Sequence, residues 1–475
     1  MSASIEVTGG AAPRTSEPEV RFRRVLGLPA LVFFGLAYMV PLTVWTTYGI
    51  VTTSTEGHLP LAYTVTTIAM GLTAYSYGRM VLAHPTAGSA YTYASRSFGR
   101  PIGFMVGWAL LLDYIFLPMI NYLLIGLYMQ DYFPSTPQAL WIILAVVLVT
   151  GLNILGIRLV AGANFVFVVA QFVFITVFAV MAIGEITGEV EVQSFTAPFI
   201  ESGIDLGAVV AGSAVLALSF LGFDAISTLS EETKDPKRKI PRAIILCAIA
   251  GGLLYIFQSY LGHLAFPDYA SFADNQDVAS ADVMTAIGGD FLNSFFTAIY
   301  VSACFAGAMA AQASVARILF AMGRDGSLPR PVFGWLHPKY RTPIVGNVLV
   351  ALFGLTALFI ELGTVAAMIS FGALAAFSFV NLSVIKTYVI DGARRGGADL
   401  VKFGVIPFLG FAFTIYLWTQ LSGLTFEIGL GWLAAGLLYL VYLTRGFRRP
   451  PPEMYSGAEE EEELGVVPAG AAARA

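Results

Sequence analysis

Twelve apolar runs separated by polar breaks fill most of the chain. They lie near residues 30–53, 60–82, 101–130, 138–156, 163–184, 207–230, 240–266, 285–320, 343–361, 363–388, 403–420 and 426–444. A helix rises about 1.5 Å per residue, so each run can cross roughly 30 Å of hydrocarbon. The longer runs must tilt or extend past it. The pattern predicts an all-α membrane protein of 12 transmembrane helices, here spans 1 to 12, in one domain over residues 28–445. Polar tails over residues 1–27 and 446–475 flank it, the second with an unbroken acidic run, Glu459 to Glu463. Such a run is expected to be solvated disorder. The first tail has no apolar stretch of signal-peptide type.

Composition agrees with a lipid-facing surface. Of 475 residues, 57% are hydrophobic and 12% charged. Soluble chains carry about 25% charged residues. The basic residues then set the orientation. All 26 Lys and Arg fall in the tails or at the even-numbered connections, such as Arg79, Arg96 and Arg100 at the second and Lys234 to Arg242 at the sixth. The odd-numbered connections hold none. The positive-inside rule places both termini in the cytoplasm and the protein in the cell membrane. Acids dominate the outer connections, among them Glu56, Glu201, Asp268 and Asp274. They form a negative vestibule, or are only what remains once bases are excluded.

Two spans are interrupted at corresponding places. Span 1 reads Gly35-Leu36-Ala37-Tyr38-Met39-Val40-Pro41, and span 6 reads Ser219-Phe220-Leu221-Gly222-Phe223-Asp224. Pro41 lacks an amide hydrogen and opposes helix at Val40. Gly222 loosens the helix beside an acid. Irregular backbone at membrane depth survives where it lines a cavity or is buried in protein, and paired interruptions point to a transporter's midplane site. Spans 1 and 6 are five apart, as an inverted five-plus-five repeat requires.

Intramembrane acids are few. Asp113 lies about 12 residues past Pro101, so roughly 18 Å deep. Asp224 lies on the break of span 6. Either carboxylate can receive a substrate ammonium or carry a coupling proton; either can instead be satisfied by backbone amides or a tyrosine hydroxyl. Glu231 and Glu232, at the inner end of span 6, are gate candidates or members of a surface ion-pair cluster. Tyr38, Tyr114, Phe220 and Phe223 are aromatic candidates for a cation–π box, set against ordinary packing roles. Cys247 and Cys304 sit inside apolar runs, and His58, His84, His263 and His337 have no metal-site spacing. With no nucleophile–base pair and no phosphate-binding loop, nothing calls for an enzyme, a cofactor, a metal or a nucleic-acid partner.

Three stretches resemble the amino acid–polyamine–organocation permease superfamily. They are His84-Pro85-Thr86-Ala87-Gly88-Ser89-Ala90-Tyr91-Thr92-Tyr93 leading to Gly107-Trp108, Ser230 to Pro236 with Ile240-Pro241-Arg242-Ala243, and Gly323 to Pro329 with Arg341-Thr342-Pro343. Gly35 to Met39, Leu111-Leu112-Asp113-Tyr114 and Phe220 to Glu232 resemble the superfamily's bacterial putrescine importers. The resemblance implies a five-plus-five inverted repeat over residues 28–184 and 207–388, with two extra helices over 403–444. It also implies proton-driven symport, and substrate held by Ala37 to Pro41 and Phe220 to Asp224. Amino acid-transporting relatives commonly have a Gly-rich run at the first break, where free amides receive the substrate carboxylate. Ala37-Tyr38-Met39-Val40-Pro41 crowds that pocket and favours an amine without a carboxylate. Some proton-coupled relatives place a Lys in span 5 where Gln171 stands, which leaves coupling to Asp113, Asp224, Glu232 or the substrate itself. The expectation is a proton-coupled importer of a putrescine-like polyamine; the alternatives are a permease for a neutral or cationic amino acid, and a membrane sensor or channel without a transport cycle.

Overall fold

A computed structural model of the protein describes residues 25–84, 89–155, 160–188, 194–230, 232–324, 328–340, 342–394, 396–449 and 451. Glu231, Arg158, the four N-terminal arginines (Arg14, Arg21, Arg23 and Arg24) and the run Glu459 to Glu463 lie outside them. Every apolar run carries helix. In chain order the helices are α1 (Leu28–Met39), α2 (Leu59–Ala83), α3 (Arg100–Tyr132), α4 (Gln138–Leu155), α5 (Val160–Gly188) and α6 (Leu206–Val215). They continue as α7 (Pro236–Ala265), α8 (Ala279–Arg324), α9 (Ile344–Gly354), α10 (Leu362–Val384), α11 (Ile406–Thr419) and α12 (Gly423–Leu443). Shorter helices, such as Tyr48–Ser54 and Ala90–Phe98, join them.

Among the described residues, 10 helical stretches are long and apolar enough to cross a membrane. The other two expected spans fall short for different reasons. Ile344–Leu358 is short. α2 has 25 residues but is more polar. Its polar groups are satisfied inside the protein: Thr66 donates to the Ser213 carbonyl at 3.0 Å, and Thr73 accepts from Asn381 at 3.1 Å. A helix whose polar side chains bond its neighbours needs less apolar surface than one facing lipid on all sides. The eighth run also differs from expectation. Gly288 and Gly289 leave helical geometry, so the helix proper begins after them and residues 279–287 form a separate piece.

The layering is that of a membrane bundle. α3, α10 and the α6 segment are mostly buried, whereas α4, α11 and α12 expose large apolar side chains, among them Leu144, Val147, Phe408, Leu438 and Tyr442. A soluble protein rarely offers water so continuous an apolar surface. The protein is a multi-pass, all-α membrane protein. α12 is fixed to α3 by a reciprocal pair: Trp108 Nε1 donates to the Trp432 carbonyl at 2.9 Å, and Trp432 Nε1 donates to the Trp108 carbonyl at 2.8 Å. The two indoles stack with centroids 4.9 Å apart. Gly436 leaves room for the Trp108 ring on the next turn.

Candidate functional site

Both interruptions are present, and they touch. α1 stops at Met39 because Val40, held before a proline, takes φ 54° and ψ 101°. That left-handed backbone is an outlier for a β-branched residue. It persists because the surrounding structure holds it. The chain resumes as a tight turn over Thr43–Trp45 and the helix Tyr48–Ser54. α6 gives way at Leu216–Phe220 to tighter turns; Leu221 is extended, Gly222 takes φ 125°, and another tight-turned segment runs over Asp224–Ser230. Gly222 lies against the first break: a Cβ there would stand 2.8 Å from the Met39 amide nitrogen and 2.8 Å from Tyr38 Cδ1. Glycine is required on both counts, conformation and space.

Breaking two helices inside a membrane strands polar backbone groups, and buried side chains collect them. The Tyr255 hydroxyl lies 2.9 Å from the Met39 carbonyl and 2.8 Å from the Ser219 carbonyl, so one phenol is shared by the two breaks. Gln258 donates to the Pro41 carbonyl at 3.0 Å and accepts from Trp45 Nε1 at 3.1 Å. Gln171 on α5 accepts the Leu42 amide at 3.4 Å. The Gly222 amide donates to Asp224 Oδ1 at 3.1 Å. Sequence reasoning passed over Tyr255 and Gln258. Their signal was a polar pair three residues apart in an apolar run, which puts both on one face of α7.

Two carboxylates face this crossing. Asp113 is buried on α3, and its Oδ1 has no hydrogen-bond partner. Gly372 of α10 packs directly on the Ala109–Asp113 turn. Asp224 is half-buried. The two are near enough for their charges to act on each other and on the hydroxyls of Tyr38, Tyr77 and Tyr114. Tyr38 is 44% exposed although it stands among these groups, so its ring is not part of the packed core. Tyr114 is half-buried beside it. Tyr77 of α2 was not anticipated. Its hydroxyl is buried without a partner, and its ring stands edge-on to Phe223 at 5.8 Å.

The remaining candidates divide. Met39, Phe220 and Phe223 are fully enclosed. Phe220 lies edge-on to Tyr255 and Phe223 packs on Tyr77 and Phe377, so both rings belong to the core behind the breaks. Ala37 and Val40 are half-buried, and Pro41 is buried at the break itself. Glu232 lies away from the crossing. Its carbonyl accepts the amides of Val25 at 2.9 Å and Leu26 at 3.1 Å, while the Lys234 amide donates to the Leu26 carbonyl at 3.1 Å. This parallel bridge ties the start of α1 to the segment after the second break. Among the described residues no group of three His, Cys, Asp or Glu side chains is placed to hold a metal.

Residues 30–431 match the family described as amino acid permease. The low-affinity putrescine importer PlaP of Escherichia coli K12 is 42% identical over 444 residues, 93% of this chain and 98% of its own. The chain belongs to the amino acid permease family. More distant relatives of the permease in Bacillus subtilis are the methylthioribose transporter, 25% identical over 88% of this chain and 93% of its own, and the branched-chain amino acid permease BcaP, 26% identical over 89% and 94%. All three relatives carry solutes across membranes, and this permease is a transporter rather than an enzyme.

Proposed function

We propose that this permease imports a small organic amine of the putrescine type by proton symport. On this reading twelve spans form a five-plus-five inverted repeat, residues 28–184 and 207–388, followed by two further helices over 403–444. Both termini are cytoplasmic, at the inner membrane of the cell. The observation that carries the reading is the contact of the two broken helices at Gly222, with the Asp224 carboxyl on one break and the exposed ring of Tyr38 on the other. A carboxylate attracts an ammonium far more strongly in a low-dielectric site than in water, and partial hydration limits the desolvation cost. Tyr38 and Tyr114 add rings to which a cation can be drawn. The name of the 42% identical relative supports the same substrate class.

The donor inventory supports an amine over an amino acid. A substrate carboxylate needs free amides at the break. Pro41 has none, the Leu42 amide is taken by Gln171, and the Gly222 amide is taken by Asp224. Asp224, held at the break by backbone donors that include the Gly222 amide, is assigned to the substrate ammonium. Asp113, with its unpartnered oxygen, is assigned to the coupling proton. Purified protein in liposomes with an imposed pH gradient tests this: labelled putrescine should accumulate, and labelled amino acids should not. Uptake of amino acids without putrescine would overturn the reading in favour of the competing one, an amino acid permease. Asp224→Asn should abolish amine uptake with the protein still inserted, whereas Asp113→Asn should leave downhill amine exchange but remove its dependence on the pH gradient.

A further inference from the structure

A second cleft lies away from this crossing, between the last turns of α2 and the first turns of α7. Its volume is about 340 Å³. Four of the residues around it are cations: Arg79 from α2, and Lys237, Arg238 and Arg242 from α7. None of its lining residues is acidic. None of the four cations forms an ion pair among the described residues. Three of them sit in the first two turns of α7, where the positive end of the helix dipole disfavours cations. Like charges gathered against that dipole, without counter-ions, are stabilised by an anion between them.

The shape of the cleft says which anion. Arg79 is held in place from below, its guanidinium 4.5 Å from the Tyr75 ring and 5.7 Å from the Phe403 ring. Tyr75 in turn donates to the Lys402 carbonyl at 3.1 Å. The floor is closed where Gly78 packs on Pro241. Leu82 and Ile245 supply apolar wall between the charges. From Arg242 the same face of α7 continues as exposed Leu246, Ile249 and Leu253, a spacing of three to four residues that makes one stripe. A soluble anion has no use for that stripe, whereas an acyl chain lies along it while its phosphate sits among the cations.

We propose that this cleft binds the phosphate headgroup of an anionic membrane phospholipid and clamps α2 to α7. The next residue of α2 after Tyr77 is Gly78, the floor of the cleft, so the bound lipid braces the helix that carries Tyr77 to the transport site.

The test uses the full-length protein, purified and exchanged into defined lipid, with native mass spectrometry counting retained molecules. Phosphatidylglycerol should be retained over phosphatidylcholine, and inorganic phosphate at millimolar concentration should not displace it. Arg79→Gln/Arg242→Gln should weaken retention roughly fivefold per charge removed. Lys237→Gln/Arg238→Gln, at exposed positions, gives the same readout if the first variant fails to fold. Arg448→Gln/Arg449→Gln, basic but outside the cleft, should retain wild-type lipid. Equal loss in the cleft and control variants would make the effect general surface charge and overturn the proposal. Displacement by inorganic phosphate, with no preference between the two lipids, would overturn it in favour of a soluble anion.

Discussion

The contact between the two breaks makes Gly222→Ala the most informative single change. The added methyl meets two separate costs. First, φ 125° is a conformation that L-residues avoid, and holding one there costs about 1–3 kcal/mol. Second, the new Cβ would sit 2.8 Å from the Met39 nitrogen, 2.8 Å from Tyr38 Cδ1 and 3.0 Å from the Tyr38 carbonyl carbon. Two of these neighbours are backbone, which cannot rotate away. Overpacking of this kind adds about 1–3 kcal/mol. The total, about 2–6 kcal/mol, is comparable with the whole margin of many folded proteins. If the chain relaxes instead, it does so by parting the breaks, which carries Asp224 away from Tyr38 and lengthens the Tyr255 bridge. Gly184→Ala is the matched control, because that glycine is helical and a Cβ there meets nothing within 4 Å. The assay is paired: thermal unfolding in detergent followed by tryptophan fluorescence, and amine uptake in liposomes. Gly222→Ala should melt well below wild type and lose uptake, with Gly184→Ala unchanged in both. If the two variants melt together and transport at the wild-type rate, the breaks do not touch as described and the reasoning fails.

The other interactions at the crossing give smaller, separable effects. Tyr255→Phe removes the one hydroxyl shared by Met39 and Ser219, so it should cost about 1–2 kcal/mol of stability and lower uptake, read by the same melt and the same transport assay. Gln171→Leu leaves the buried Leu42 amide without an acceptor; the expected loss is about 1–3 kcal/mol, and because a donor is freed, inhibition of amine uptake by carboxylate-bearing analogues should increase. Gly436→Val drives a side chain into the Trp108 indole and breaks the reciprocal Trp108–Trp432 pair, so hydrogen exchange should rise in α12 and not in α1 or α6.

Much of this was legible in the chain before any coordinates. The twelve apolar runs each carry helix, because length and hydropathy are what a bilayer imposes on sequence. The two breaks were readable for a related reason: Pro41 and Gly222 act locally, through a missing amide hydrogen and a missing Cβ. What stayed hidden was pairwise. Phe220 and Phe223 stand beside a break in sequence, yet their rings turn into the core against Tyr255 and Tyr77, and adjacency along the chain does not reveal which way a ring points. Gln171 stands where some proton-coupled relatives place a Lys, and nothing along the chain names its partner; in the structure it accepts the Leu42 amide, a contact 129 residues away. Tyr77 and Tyr255 looked like two of many tyrosines in apolar helices until the fold brought them to the crossing. The kink at Gly288 and Gly289 was missed because a Gly pair inside an apolar run is common in membrane helices.

The two breaks differ in how they spend their freed polar groups, and the difference bears on selectivity. An interrupted helix exposes amides and carbonyls alike, and a site becomes anion-binding or cation-binding according to which set is left open. Here the amides are consumed internally, by Gln171 at Leu42 and by Asp224 at Gly222, and Pro41 never had one. The carbonyls are largely taken as well: Met39 accepts from the Thr43 hydroxyl at 2.9 Å and shares the Tyr255 phenol with Ser219, and Pro41 accepts from Gln258 at 3.0 Å. With Asp113 holding an oxygen without a partner, the balance of the site lies toward its carboxyl groups. On the proposed reading an ammonium answers that balance directly. A zwitterion brings a second negative group into the same space, where two unit charges 4 Å apart interact by about 4 kcal/mol at an effective dielectric near 20. On the proposed reading, that penalty, with the amides of Leu42 and Gly222 already taken, is what admits an amine and keeps an amino acid out.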